Sequence, residues 1–223
     1  MPFRRAGKGY AVVAAVLGMI VGWGGIASAA LITFNFEGNV TSVDPDSIPY
    51  FSTSDKLVGS FSFNSTAVNH GSSAQFGNYE ISQLSFTLGQ KAYVAGPNFG
   101  SPQIRIVSNS ALFPNTNTPD DYRIFSSNNL GPSAGPQLPR DFAIDISGLG
   151  KFPNNSLPLT PPSIGNLLST DRRFAMSFVQ PVGAVGGVIG EITSLTLAPV
   201  PLPGAVLLFG TGLIGLAALG KIR

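Results

Sequence analysis

The 223-residue chain is poor in charge and rich in turn-forming residues: 11% of its residues are charged, against about 25% in an average soluble protein, and it contains 27 glycines and 18 prolines. It has no cysteine, which excludes disulfide bonds, thiolate metal sites and a cysteine nucleophile. Its formal charge of +2 arises at the termini, because residues 30–198 hold eight basic residues against 11 acidic ones, so nucleic acid is not an expected partner.

Residues 1–29 have the three parts of a secretory signal peptide. Three basic residues are followed by an apolar stretch, and Ala27 and Ala29 supply the small side chains that signal peptidase accepts. The sequence therefore predicts cleavage by signal peptidase after Ala29. An uncleaved anchor is the alternative, because the apolar run over residues 11–32 exceeds the roughly 18 residues that span a bilayer.

Residues 30–198 alternate apolar and polar side chains, as strands with one buried face do. The apolar positions of five such segments are Ile32, Phe34, Phe36 and Val40; Leu57, Phe61 and Phe63; Leu84, Phe86 and Leu88; Phe142, Ile144 and Ile146; and Phe174, Met176 and Phe178. Residues 188–197 are predicted to form a final strand. Turn-rich stretches separate them. Only residues 163–168 suggest a short helix. The pattern predicts one all-β domain, an antiparallel β-sandwich or jelly roll that needs no cofactor.

The polar residues of this domain predict no catalytic or metal site. His70, the only histidine, is expected to be a solvated surface residue, and no Gly-x-Ser-x-Gly elbow accompanies it. The acidic pairs Asp44/Asp46 and Asp120/Asp121 are expected in loops. There they could ligate calcium, or they could hydrogen-bond their own backbone as turn-forming aspartates do.

Two further features leave alternatives open. Asp141 and Asp145 lie four residues apart on a predicted strand and should share its polar face as solvated charges. Paired acids can also form a glycosidase dyad if their carboxyls lie about 5–9 Å apart in a cleft. Several aromatic residues near loops could stack on sugars or pack in the core. They are Tyr50, Phe51, Tyr93, Phe99 and Tyr122.

Residues 199–223 form a tail with three parts. The first is the motif Val200, Pro201, Leu202 and Pro203. An almost wholly apolar stretch follows, and a helix of about 18 residues would reach ~27 Å, close to the ~30 Å hydrocarbon core of a bilayer. Lys221 and Arg223 close the tail and should stay in the cytoplasm by the positive-inside rule. Residues 30–198 would then lie on the outer side of the inner membrane, as the signal peptide also requires.

This tripartite tail resembles a PEP-CTERM sorting signal. Residues 30–44 and 57–66 are also similar to the opening of an exported β-domain that occurs beside such tails. The motif here is Pro-Leu-Pro, where the family is named after Pro-Glu-Pro. The resemblance implies an exosortase-type membrane protease as partner, which cuts near the motif and passes the protein toward the exterior of the envelope.

We therefore expect an exported protein of the cell surface or extracellular matrix, held transiently in the inner membrane with its body outside. Its body is predicted to be a non-enzymatic binding or structural module, with polysaccharide or other envelope components as partners. A secreted carbohydrate-active hydrolase that uses loop carboxylates is the alternative.

Overall fold

The computed structural model describes residues 29–96, 102–109, 119–148, 150–179 and 185–199. The described residues form ten β-strands and two single-turn 3-10 helices, Pro45–Ser47 and Ser169–Asp171. The strands are β1 Leu31–Val43, β2 Lys56–Asn64, β3 Phe76–Glu80, β4 Gln83–Leu88, β5 Lys91–Val94, β6 Gln103–Val107, β7 Asp120–Ser126, β8 Leu138–Gly148, β9 Arg172–Val179 and β10 Val185–Leu197. The predicted all-β class is confirmed.

The ten strands belong to one antiparallel sheet in the order β3-β6-β7-β8-β9-β10-β1-β2-β4-β5. β3 and β4 are consecutive in the chain, and only Ile81 and Ser82 separate them. This link covers three Cα–Cα steps, or at most ~11 Å. In a flat sheet, strands eight positions apart would lie about 38 Å from each other. The sheet must therefore curl until its β3 and β4 regions approach.

The curl corrects the prediction of a sandwich, in which two sheets pack with separate edges. Here the two halves that face each other are joined by hydrogen bonds through β9, β10 and β1. The bending is helped by irregularities in the pairing of β1 with β10, between Glu37 and Gly38 and between Val40 and Ser42, and by another in β8 before Phe142. Bulges bend strands and increase their twist, which a strongly curved sheet requires.

Aromatic rings from both halves fill the inside of the curled sheet. Phe86 on β4 stacks on Phe142 on β8 with ring centroids 4.0 Å apart, and Tyr93 on β5 meets the edge of Phe178 on β9 at 6.2 Å. The apolar residues predicted to point inward are buried, apart from the partly buried Ile32. Contacts between strands distant in the sheet therefore hold the curl closed.

Loop residues cover both edge strands of the sheet. Val94 on β5 exchanges two backbone hydrogen bonds with Leu130, at 2.9 and 2.8 Å. On β3, the carbonyl of Asn78 accepts from the His70 N–H at 2.8 Å, and its N–H donates to Asn69 Oδ1 at 3.0 Å. Unpaired edges invite pairing with other chains, and these contacts cover part of each edge.

Two further predictions concern a short helix at residues 163–168 and the two terminal segments of the chain. Residues 163–168 form no helix and lead by a turn into the 3-10 helix Ser169–Asp171. Residues 1–28 of the predicted signal peptide, with Ala27, and the predicted sorting tail from Val200 to Arg223 lie outside the described residues. Within the described part of the chain, no helix has the length and apolarity needed to cross a membrane.

Gly59→Ala should destabilise the fold by about 1–3 kcal/mol, the usual cost of overpacking a filled core. An added Cβ at Gly59 would lie 2.5 Å from the Phe36 ring and 2.6 Å from both Phe86 Cβ and the Ser85 carbonyl oxygen. Urea unfolding of the full chain measures the change in free energy. The matched control is Gly165→Ala, since nothing lies within 4 Å of a Cβ there. Equal stabilities of the two variants would contradict the tight packing of β1, β2 and β4.

Candidate functional site

The acidic residues singled out in the sequence do not converge on one site. Among the described residues, no group of three or more histidines and carboxylates is placed to hold a metal ion. His70 is exposed, as predicted, and its backbone caps β3. Asp46 is exposed in the loop after β1. The calcium interpretation of the loop acids therefore gains no support from geometry.

Asp120 is fully buried and Asp121 follows it on the same strand, which corrects the prediction that this pair lies in a loop. Asp120 opens β7, and its Oδ2 accepts a hydrogen bond from the Phe152 N–H at 3.0 Å. Nearby, the buried hydroxyl of Ser108 donates to the Phe152 carbonyl at 2.7 Å. These bonds tie the loop after β8 to β6 and β7. A buried carboxylate accepting a backbone N–H is a structural element of the fold.

Asp121 and Asp145 face outward on neighbouring strands. Asp145 lies opposite Arg123 in the β7–β8 pairing and forms an ion pair with it, while Asp121 lies opposite Ser147. Burial raises the pKa of Asp121, the Asp145 carboxylate raises it further, and Arg123 and Arg105 oppose these effects. The prediction that Asp145 is an ordinary solvated charge is therefore incomplete, since it takes part in a cross-strand network.

This network extends across the outer face of the sheet. Arg105, Arg123, Asp145, Arg173 and Glu191 lie opposite one another on β6 to β10 in that order. Cations and anions alternate from the second to the fifth residue. Opposite charges on adjacent strands stabilise their pairing by a few tenths of a kcal/mol to about 1 kcal/mol. With three cations and two anions, the row largely neutralises itself.

A shallow groove, here called the β8–β10 groove, lies beside this row. Its floor consists of small side chains, because Ala143 on β8 lies opposite Ala175 on β9, and Ser177 on β9 lies opposite Gly187 on β10. Ile189 lines one side, and the groove has a volume of about 230 Å³. The floor is flat because no side chain larger than serine rises from these four positions.

Two carboxylates border the floor. Asp44 is fixed by its backbone, whose N–H donates to the Gly187 carbonyl at 2.9 Å, and its Oδ2 lies 3.1 Å from where a Cβ on Gly187 would be. Asp141 is fixed on the β8 side, where its N–H donates to Ser177 Oγ at 3.1 Å. Both side chains line the groove. The arrangement offers two hydrogen-bond acceptors beside an apolar surface.

A second groove of about 510 Å³ adjoins the first. It is lined by Leu130, Leu138, Pro139, Arg140 and Val179 together with neighbouring backbone. Leu130 and Leu138 are 54% and 57% exposed, which is unusual for two neighbouring leucines. Arg140 Nε lies 3.5 Å from an oxygen of Asp141, so an ion pair stands where the two grooves meet. We call the two grooves together the β8–β10 cleft.

On β10 the cleft lies near the start of the strand, at Gly187 and Ile189, whereas the body's chain boundaries lie together at the other end of this strand. β1 begins at Leu31, β10 ends at Leu197, and the Ala198 N–H donates to the Thr33 carbonyl at 2.9 Å. Asp44 follows the opposite end of β1. Both strands have 13 residues, so the two ends are about 40 Å apart.

The residues of the cleft floor were missed by sequence reasoning, and the aromatic residues considered for sugar stacking mostly lie elsewhere. Phe51, Tyr93 and Tyr122 are buried in the core, Tyr50 is 37% exposed, and Phe99 lies outside the described residues. Small residues at outward positions of predicted strands were the available signal for a flat floor. Comparison with protein-family models, with curated proteins and with solved structures finds no match.

Asp121→Asn should raise the free energy of unfolding at pH 7, and the gain should shrink as the pH falls. Burial raises the folded-state pKa of Asp121 above its unfolded value, near 3.9, so at pH 7 the folded protein holds a poorly solvated carboxylate. Below the unfolded pKa, both states are protonated and this cost vanishes. Urea unfolding at pH 7 and at about pH 3.5 measures the difference.

The control for this experiment is Asp46→Asn, which removes an exposed carboxylate from a loop. A loss of stability in Asp121→Asn at pH 7 would show that attraction by Arg123 and Arg105 outweighs the cost of burial.

Proposed function

We propose that the protein is an exported module of the cell surface or extracellular matrix, sorted by its C-terminal tail and acting through binding rather than catalysis. In this proposal signal peptidase removes residues 1–29. The apolar tail then holds the chain in the inner membrane until an exosortase-type protease cuts near Pro201 and Pro203.

The observation that carries this proposal is the shared position of the body's two boundaries. Leu31 begins β1 beside the end of β10, where Ala198 is hydrogen-bonded to Thr33. Two membrane segments attached at these points would leave the sheet from one end, as a single membrane surface requires. The floor of the β8–β10 cleft, on the outer face of the sheet beside Gly187 and Ile189, would then lie about 26–33 Å from that end along β10.

The spacing between sheet and motif also supports processing. β10 ends at Leu197, and Pro201 and Pro203 follow within six residues. Proline lacks a backbone donor and disfavours helix in the residue before it. The segment that a protease would grip is therefore biased toward an extended form immediately beyond a folded sheet.

In the full chain, Pro201→Ala/Pro203→Ala should leave the C-terminus intact at Arg223, whereas the wild type should end near residues 200–204. The reason is that both substitutions allow the approach to the apolar stretch to become helical. Mass spectrometry of the C-terminal peptide, in a host that contains the processing protease, reads the terminus. Pro153→Ala, in an exposed loop of the body, is the control. An intact wild-type terminus in that host would defeat the sorting proposal.

A second candidate function, carbohydrate hydrolysis, is favoured by one observation. Asp121 and Asp145 are diagonal neighbours across β7 and β8, and such positions lie about 7–8 Å apart, within the separation used by inverting glycosidases. The pKa of Asp121 is raised by burial and by Asp145, as a general acid requires.

Chromogenic glycosides incubated with the full chain separate the two candidates. The binding proposal predicts no turnover above that of an Asp121→Asn/Asp145→Asn variant. Turnover that is lost in this variant and retained in Asp46→Asn would establish the hydrolase and overturn the non-enzymatic assignment. Circular dichroism of each variant checks that the sheet is preserved.

A further inference from the structure

We infer that the β8–β10 cleft binds a polysaccharide segment that is rich in hydroxyl groups and carries no negative charge. The sugar rings would lie on the small-residue floor of Ala143, Ala175 and Gly187, with hydroxyl or amino groups donating to Asp44 and Asp141. This inference rests on the proposed surface role, and it adds the site and the chemical class of the ligand.

The backbone of the cleft excludes the commonest way in which a sheet binds a peptide. β8 and β9 are interior strands, each hydrogen-bonded to a neighbour on both sides. An extended peptide gains most of its affinity by pairing with a free strand edge, and this face has none. Recognition here must come from side chains: an apolar floor and a few polar groups that fix orientation, as in small-molecule sites.

The side chains suit sugar rings. Ala143 and Ala175 form a flat apolar patch, and Leu130 and Leu138 extend the apolar surface on the far side of the Arg140–Asp141 pair. A ring's C–H face can cover such patches while its hydroxyls reach the rim. The cleft crosses about three strand spacings, or ~15 Å, which is the length of a short oligosaccharide.

The charge of the cleft selects among sugars. Asp44 and Asp141 contribute two negative charges, and Arg140 contributes one positive charge already paired with Asp141. Carboxylates accept from hydroxyls and attract ammonium groups through charge-assisted bonds. An acidic polysaccharide would place like charges in the groove, which costs affinity. A neutral glycan should therefore bind, an amino-sugar glycan should bind more tightly, and an acidic glycan should bind most weakly.

Calorimetric titration of the full chain in detergent micelles with three hexasaccharides tests this order. The probes are cellohexaose, a chitosan hexamer and an alginate hexamer. We expect the chitosan hexamer to bind at least about tenfold more tightly than the alginate hexamer. Asp44→Asn/Asp141→Asn should weaken chitosan binding at least about tenfold, because two charge-assisted bonds are lost. Ala175→Leu should weaken the binding of both cellohexaose and the chitosan hexamer, because the leucine side chain would project from the flat floor of the cleft.

Matched controls use the same substitutions outside the cleft. Asp46→Asn lies in the same loop as Asp44, and Ala92→Leu lies at an exposed position of β5. Both should bind as the wild type does. Alginate binding as tight as chitosan binding, equal binding by cleft and control variants, or no binding of any hexasaccharide would overturn the inference. Binding of a Ser/Thr-rich decapeptide in place of the glycans would identify a protein segment as the occupant and overturn it as well.

A parallel measurement separates this inference from the proposed function. Protease accessibility of the body on intact host cells reports surface display without involving the cleft. Normal display combined with absent glycan binding would overturn the ligand inference alone. Failure of display in a processing-competent host would overturn the proposed function.

Discussion

The two-residue link between β3 and β4 is the constraint on which the rest of the sheet depends. It joins strands that stand eight positions apart in the hydrogen-bonded order, so the sheet has to curl. Both backbone N–H groups of the link are hydrogen-bonded. The Ile81 N–H donates to the Pro102 carbonyl and the Ser82 N–H donates to the Ser62 carbonyl, both at 2.7 Å. These bonds connect the strands of both halves at the point where they approach.

Because the inside of the curl is filled with aromatic rings, polar chemistry is confined to the outer face and the ends. The outer face carries two rows with different chemical character. One row alternates Arg and acidic residues and neutralises itself, whereas the next presents Ala143 and Ala175 with little side chain above the backbone. A ligand at this face therefore meets a flat floor beside a charged border.

Alternation was enough to predict the strands that contribute most of the core, but it does not say which strands are neighbours. Two sheets and one curled sheet bury the same faces, so the link at Ile81 and Ser82 had no visible meaning in the sequence. Four strands, β3, β5, β6 and β7, were not predicted. β7 begins and ends with polar residues, Asp120 and Ser126, that the fold buries. The cleft could not be predicted, since its floor exists only through the register that places Ala175 opposite Ala143.

The position of β10 has a consequence for the order of folding. The last strand lies between β9 and β1, and it pairs Leu197 with Phe34 near the start of the body. Until β10 is available, the other strands can form only two separate halves, β3-β6-β7-β8-β9 and β1-β2-β4-β5. Contacts so distant in sequence form late and slowly. If the chain crosses a membrane from its N-terminus, the sheet cannot close until residue 197 has crossed. The body would therefore be translocated before it forms a closed sheet that could hinder its passage.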